Sequence, residues 1–143
     1  MTEHQLYEQI AEYMQIQYPN VIYRFDLAAD LKLTPGQARR HKKLHPFRGY
    51  PDLFIAESRF VAIENTNPND LQLSFRRNGL FLELKREGTT IFKKSDGQLV
   101  KDKHIREQVE MLDKLRKCGY MAEFACGFDE AKKIIDSYLK GDK

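Results

Sequence analysis

The sequence predicts an α/β domain in which a mixed β-sheet is flanked by helices. Two short apolar segments, residues 52–56 and 80–85, have the length and composition of buried strands. Apolar residues recur at helical spacing before them, over residues 4–17, and after them, over residues 104–117 and 129–139. A chain of 143 residues is long enough for one domain with a single core. The order of these segments predicts helices packed against a central sheet.

The first third of the chain predicts helix, strand and helix. The helix over residues 4–17 ends at Pro19, and the β-branched and aromatic residues 21–25 predict a short strand. Thr34 is a helix-capping residue, and Pro35 suits the first helical position. Together they predict a second, basic helix that runs to about Lys43.

The segment 58–79 leaves several interpretations open. Residues 60–63 are apolar enough to extend the preceding strand, or to pair with residues 71–75 around the turn-rich stretch 65–70. The whole segment is equally compatible with an insertion at the surface.

The last third predicts a small hairpin, a helix, a strand and a helix. Residues 90–93 and 98–101 flank the turn signal Ser-Asp-Gly and predict the hairpin. The helix over 104–117 is followed by a strand over 120–126 and by the helix over 129–139.

Composition indicates a soluble globular protein. Apolar residues make up 41% of the chain and charged residues 31%, and no apolar run reaches membrane length. The N-terminus has no basic region followed by an apolar region, so no secretory signal is expected. Cys118 and Cys126 lack the spacing of a zinc site and are interpreted as reduced thiols. A cytoplasmic protein without membrane association is therefore expected.

Three charged residues interrupt the two apolar strand segments. Asp52 begins the first, while Glu83 and Lys85 lie on one face of the second because side chains alternate along a strand. Burying such charges costs several kcal/mol per ion unless another charge compensates. A divalent metal between Asp52 and Glu83, with Lys85 near the reacting group, would compensate. A cross-strand Glu–Lys pair on a half-exposed strand is the alternative.

Positive charge is concentrated between residues 31 and 51, where the chain has no acidic residue. Such a block is typical of a phosphate-binding surface, although a solvated helix face has the same composition. The predicted DNA-binding residues are Arg39, Arg40, Lys42, Lys43 and Arg48.

The ordered set of motifs resembles the PD-(D/E)xK nuclease superfamily, and within it the stand-alone VRR-NUC domain of phages and bacteria. The resemblance depends on Gly49-x-Pro51-Asp52, on Glu83-Leu84-Lys85, on Gln108 in the following helix, and on residues 119–131. It implies a restriction-endonuclease-like α-β-β-β-α-β core. It covers nearly all of a single domain, 1–143, with an insertion at 58–79, in the cytoplasm of a bacterium or phage-infected host.

The resemblance also implies roles for individual residues. Asp52, Glu83 and the carbonyl of Leu84 would bind Mg²⁺ or Mn²⁺. Lys85 would position the attacking water or help to deprotonate it, and would offset charge on the phosphate. Gln108 would point from its helix toward the site.

The family has one more acidic residue, on the helix before the first strand. Spacing favours Glu8 for this role and leaves Glu3 and Glu12 as alternatives. No single position is fixed by the sequence.

The resulting function is a metal-dependent DNA endonuclease, and the sequence leaves open whether its substrate is branched DNA such as four-way junctions, flaps or nicks, or plain duplex. The resemblance also makes a homodimer an expectation, since small junction-cleaving relatives are two-fold dimers. A non-catalytic DNA-binding module of the same fold is the main alternative. A metal-independent structural protein is a third, which would leave the charged strand residues unexplained.

Overall fold

The computed structural model describes residues 1–26, 32–62 and 74–141. Its helices are α1 (Glu3–Gln17), α2 (Pro35–Leu44), α3 (Lys103–Lys117) and α4 (Phe128–Lys140). Its strands are β1 (Tyr23–Phe25), β2 (Leu53–Ile55), β3 (Arg59–Ala62), β4 (Ser74–Arg77), β5 (Leu80–Lys85) and β6 (Met121–Cys126). None of the helices in these ranges has the length and apolar character that a bilayer crossing requires.

A four-stranded mixed sheet forms the centre of the fold, in the order β1-β2-β5-β6. The first two pairings are antiparallel, and β5 pairs with β6 in parallel. A parallel pair needs a long crossover connection, and α3 lies within it. The α/β class, the mixed sheet and its flanking helices are confirmed.

The two faces of β5 belong to different parts of the core. Leu82 and Leu84 pack in a buried cluster with residues of α1 and α4, such as Ile10 and Ile135. Phe81, on the opposite face, packs with residues of α3 and β6. Glu83 shares the face of Phe81, because alternate residues of a strand point the same way. The sheet therefore places Glu83 on its α3 side.

Segment 58–79 contains a separate two-stranded sheet, β3–β4. Phe60 pairs with Arg76 and Ala62 with Ser74, so the chain forms a hairpin and does not extend β2. The hairpin is attached to α4, since Arg59 Nε donates to the Tyr138 carbonyl. The predicted turn at 65–70, with Ile63 and residues 71–73, lies outside the described residues.

The small hairpin predicted over 90–101 is present. Phe92 and Leu99 form an antiparallel bridge, and on either side of it Lys93 N donates to the Gln98 carbonyl and Val100 N to the Ile91 carbonyl. Phe92 is largely exposed, and no further strand of the described chain pairs with this segment. A two-stranded ribbon is only marginally stable, so the pairing stays short.

Candidate active site

Two carboxyls from neighbouring strands lie together at the end of β2. Leu53 pairs with Leu82 in the antiparallel register, and continuing it by one residue sets Asp52 opposite Glu83. The Leu84 amide donates to Asp52 Oδ2 at 2.8 Å. The carboxyl of Asp52 is thereby fixed against the backbone of β5, beside Glu83.

Glu83 is the one buried charged side chain among the residues whose burial is described, and it is only 3% exposed. Its Oε1 atom accepts a hydrogen bond from Gln108 Nε2 at 2.8 Å and lies 3.6 Å from Lys85 Nζ. Within the described ranges, Glu83 Oε2 accepts no hydrogen bond. The same is true of Gln108 Oε1, which is also buried. Four predicted site residues therefore converge, with two buried oxygen atoms left unpartnered.

The two carboxyls perturb each other. Burial, followed by the charge of Asp52, raises the pKa of Glu83 to about 9, and Lys85 offsets this only in part. Burial also raises the pKa of Asp52, against the opposing effect of its hydrogen bonds. Two carboxylates so close cannot both ionise easily, so the pair retains a proton at neutral pH unless a cation replaces it.

Tyr7 of α1 is a site residue that the sequence interpretation missed. Its buried hydroxyl hydrogen-bonds to the Asp52 carboxyl, and its ring stacks on Phe25 at 5.4 Å. Burial and the Asp52 charge raise the pKa of Tyr7, so the hydroxyl keeps its proton and remains a donor. A signal was present, because Tyr7, Ile10 and Met14 follow the 3–4 spacing of a buried helix stripe.

The structure does not bring Glu8 to the two carboxyls. Its carboxylate is 66% exposed and lies 3.1 Å from His4 Nε2, one turn earlier on α1. Adjacent helix residues point about 100° apart, and Tyr7 occupies the inward position. Of the three candidate acids, Glu3 is the one whose charge acts on Tyr7, whereas Glu12 is exposed. That one of these three acids takes part in the site remains a prediction. Of the three, Glu3 fits it best, because its charge acts on Tyr7.

Gly49 allows the loop before Asp52 to lie against α3. Its φ is +73°, and an added Cβ would lie 2.6 Å from the Glu107 carbonyl oxygen and 2.9 Å from the Gln108 nitrogen. Only glycine satisfies both the conformation and the close approach. The motif glycine thus fixes the loop to the helix that carries Gln108.

The chemistry of the site suits a hard divalent cation. The described ranges contain no group of three or more His, Cys, Asp or Glu side chains able to hold a metal. A centre here would depend on two carboxylates, on other oxygen donors and on water, which is how Mg²⁺ binds in many proteins. The unpartnered Glu83 Oε2 and Gln108 Oε1 fit this requirement. Leu84 lies in the same cluster, and its carbonyl as a ligand remains a prediction.

The predicted DNA-binding residues divide into two groups. Arg48 is 3.7 Å from the Glu107 carboxylate, on α3. The other four lie exposed on α2 and form no salt bridge with any acid of the described ranges: Arg39, Arg40, Lys42 and Lys43. The structure therefore presents four uncompensated cations on one helix, near the Asp52 loop.

Comparison with known proteins shows the fold. No protein-family model matches the chain, and no curated protein matches it. A solved structure described as "VRR_NUC domain protein" is similar, with a TM-score of 0.55 and 24% sequence identity. The similarity covers 98% of this chain and 89% of that chain. The resemblance predicted from the motifs is confirmed at the level of the fold.

Proposed function

We propose that this protein is a nuclease that hydrolyses DNA phosphodiester bonds with a divalent metal ion. The observation that carries the proposal is the Asp52–Glu83 pair, in which Glu83 is buried and lies 3.6 Å from Lys85 Nζ. This pair is costly without a cation and is suited to hold one. The fold, similar to that of a protein described as a VRR_NUC domain protein, agrees with this activity.

Each residue of the site has a separate task. Asp52 and Glu83 would hold Mg²⁺ or Mn²⁺, which would supply neutralisation of phosphate charge and activation of water. Lys85 orients the attacking water and stabilises negative charge on the phosphate in the transition state. Gln108 holds Glu83 Oε1, and the Tyr7 hydroxyl holds Asp52, so that neither carboxyl rotates away.

DNA contact in this proposal comes from α2. Its exposed cations neutralise backbone phosphates without reading sequence, because phosphate contacts carry no base information. We further propose endonucleolytic action on branched DNA, such as four-way junctions or flaps. A two-fold dimer would present two such sites to two strands.

Cleavage assays with purified protein test the proposal. Labelled supercoiled, linear, single-stranded and four-way-junction DNA are incubated with Mn²⁺, Mg²⁺ or EDTA. We expect metal-dependent cleavage by the wild type and none by Glu83→Gln, which keeps the shape of the protonated side chain but loses the negative charge. Circular dichroism verifies that the variant is folded.

Two results would contradict the assignment. Equal cleavage by wild type and Glu83→Gln in Mn²⁺ would show that the carboxyl pair is not the metal centre. Binding to DNA without cleavage in either metal would instead favour the non-catalytic DNA-binding module.

A further inference from the structure

A cavity of about 650 Å³ lies next to residues that flank Asp52 in the chain. It is lined by β1 residues, by the C-terminal part of α2, and by the loop that leads to Asp52. Pro51 belongs to this lining, and the Asp26 amide donates to the Asp52 carbonyl at 2.8 Å. Whatever occupies the cavity therefore lies within a few residues of the candidate active site.

One wall of the cavity is a fixed aromatic surface. The Tyr50 ring packs edge-on against Phe81 at 5.7 Å, and Phe54 stacks on Phe81 at 4.4 Å. Phe81 in turn contacts Tyr120 at 5.1 Å. Because these rings hold one another, Tyr50 and Phe54 offer aromatic surface without having to be ordered on binding.

Another wall of the cavity is formed by residues of α2 and those that follow the helix. The imidazoles of His41 and His45 are stacked at 4.1 Å, one helical turn apart. Phe47 also lines the cavity and remains 69% exposed, a large apolar area without a covering partner in the described chain. Flat rings on both walls suit a flat, aromatic occupant.

Polar groups in the same cavity argue against a purely apolar occupant. Arg24 and Asp26 line it, and His41 carries a buried ring nitrogen, Nε2, without a described hydrogen-bond partner. An occupant that has both aromatic faces and donor and acceptor edges would give His41 Nε2 a partner and present polar atoms to Arg24 and Asp26. Nucleobases have both features.

Charge connects the cavity to a polynucleotide. The helix that contains His41 and is capped by His45 also carries the four exposed cations Arg39, Arg40, Lys42 and Lys43. A positively charged surface beside aromatic side chains is the usual composition of a single-strand binding site. In α2 no side chain is buried, so its basic surface is accessible along the whole helix.

We propose that this cavity binds an unpaired nucleobase of a DNA strand whose phosphates contact α2. The inference builds on the proposed function for its choice of DNA and narrows the substrate class to DNA with unpaired nucleotides. A base stacked between the aromatic wall and the imidazole wall would direct the neighbouring phosphodiester toward Asp52.

Binding measurements in EDTA test the proposal without cleavage. The probes are a fluorescein-labelled single-stranded 12-mer, the same strand carrying one 2-aminopurine, and the corresponding blunt duplex. Phe47→Ala removes an exposed lining ring at little cost to folding, and Tyr50→Leu removes one from the fixed wall. Phe60→Ala is the matched control, since Phe60 is 73% exposed on β3, outside the cavity lining.

We expect the two lining variants to bind the single strand roughly 5- to 100-fold more weakly, the effect of removing one aromatic ring on which a base stacks. Duplex affinity and the salt dependence of binding should stay unchanged, because every phosphate-binding cation is retained. Quenching of 2-aminopurine by the wild type should be lost in both variants and kept in Phe60→Ala.

The proposal is overturned if the wild type does not quench 2-aminopurine. It is also overturned if both variants bind the single strand as the wild type does, or if single-strand and duplex affinities fall together. Failure of the nuclease assignment looks different: quenching in EDTA would persist while no DNA is cut in Mn²⁺. Cleavage of blunt duplex without any single-strand binding would instead support the nuclease assignment and overturn the proposal for the cavity.

Discussion

The carboxyl pair and helix α2 are neighbouring regions that are held in place in opposite ways. Glu83 is buried and in contact with Gln108 and Lys85, while Asp52 is held by a backbone amide and by the Tyr7 hydroxyl. In α2 no side chain is buried at all. One region is fixed by packing from both sides of the sheet, whereas the other lies on the surface.

Helix α2 persists because its own ends are satisfied. Thr34 and Gln37 form a capping box, Pro35 occupies the first turn, and basic residues fill the last turn, where the helix dipole favours them.

The difference in burial between the carboxyl pair and α2 fits the two proposed tasks. Phosphoryl chemistry needs groups held to a fraction of an ångström, whereas phosphate binding needs only charge at the right distance. Substitutions in the two regions should therefore have different consequences.

Among the substitutions that compare the two regions, the largest effect is expected at Lys85. Replacing it with alanine should lower the single-turnover cleavage rate by about 10²- to 10³-fold, because its proposed charge acts on the transition state. The affinity for Mn²⁺, measured by calorimetry, should change only a few-fold. Lys133→Ala, on the exposed side of α4, is the control and should change neither quantity. A Lys85→Ala variant that cleaves at the normal rate would remove Lys85 from the site.

Gly49→Ala tests how tightly the active-site loop is packed. It should lower the free energy of unfolding by about 2–4 kcal/mol, since a left-handed conformation and a close approach to α3 are both penalised. Gly88→Ala, with φ +82° and open space around it, isolates the conformational part, about 1–2 kcal/mol. Gly36→Ala in α2 meets nothing within 4 Å and should be neutral or slightly stabilising.

Urea denaturation of the three glycine variants decides the point. If Gly49→Ala loses no more stability than Gly88→Ala, the loop does not press against the α3 backbone. If Gly36→Ala proves as costly as Gly49→Ala, then α2 is packed as tightly as the site and the comparison fails.

Most of the fold followed from local patterns in the sequence. Leu80–Lys85 was predicted residue for residue, because an apolar run with alternating charges has one strand interpretation. The sequence left the pairing in segment 58–79 open, because that pairing depends on contacts with a distant part of the chain. In the structure that part is α4, whose Tyr138 carbonyl accepts a hydrogen bond from the hairpin. The short hairpin at 90–101 shows what a turn signal can predict, since it indicates the reversal of the chain but not how far the pairing extends.

The site was predicted less completely than the fold. Motif spacing brought together Asp52, Glu83, Lys85 and Gln108, but it could not show which side of α1 faces them. The orientation of α1 depends on how it packs against α4 and the sheet. As a result, Tyr7 points to Asp52, whereas Glu8, the residue favoured by spacing, points to His4. The cavity beside α2 was also invisible, because its lining comes from segments that meet only in the folded chain.

Neutralising α2 should affect binding and leave stability nearly unchanged. With Arg39, Arg40, Lys42 and Lys43 all replaced by alanine, the slope of log K against log salt should fall by roughly 0.9 for each duplex phosphate that is no longer neutralised. Affinity should decline for all sequences alike, because phosphate-binding cations do not read bases. The free energy of unfolding should change by less than about 0.5 kcal/mol, as for other surface substitutions.

Anisotropy titrations in EDTA at several salt concentrations measure this slope. Replacing Lys114 and Lys117, exposed on α3, is the control for a general loss of positive charge. An unaltered slope in the α2 variant, or an equal change per charge in the α3 variant, would leave α2 as a solvated helix without a DNA-binding role.

The last prediction concerns the protonation of the metal-free carboxyl pair. A carboxyl whose folded pKa is raised, here to about 9, binds a proton that the unfolded chain releases above its ordinary value near 4.5. Glu83 therefore stabilises the fold fully only at acidic pH, and this contribution is lost progressively as pH rises from about 4.5 to 9.

The Glu83→Gln variant lacks this pH-dependent contribution to stability. Urea denaturation in EDTA at pH 5.5, 7.0 and 8.5 should show a steeper decline for the wild type than for the variant, because titrating groups remote from the pair contribute equally to both proteins. Binding of Mn²⁺ near neutral pH should correspondingly release about one proton, detected by calorimetry in buffers of different ionisation enthalpy. Parallel pH profiles and no proton release would mean that Glu83 is already ionised without metal, and the two regions would then not differ in how strongly burial perturbs their charges.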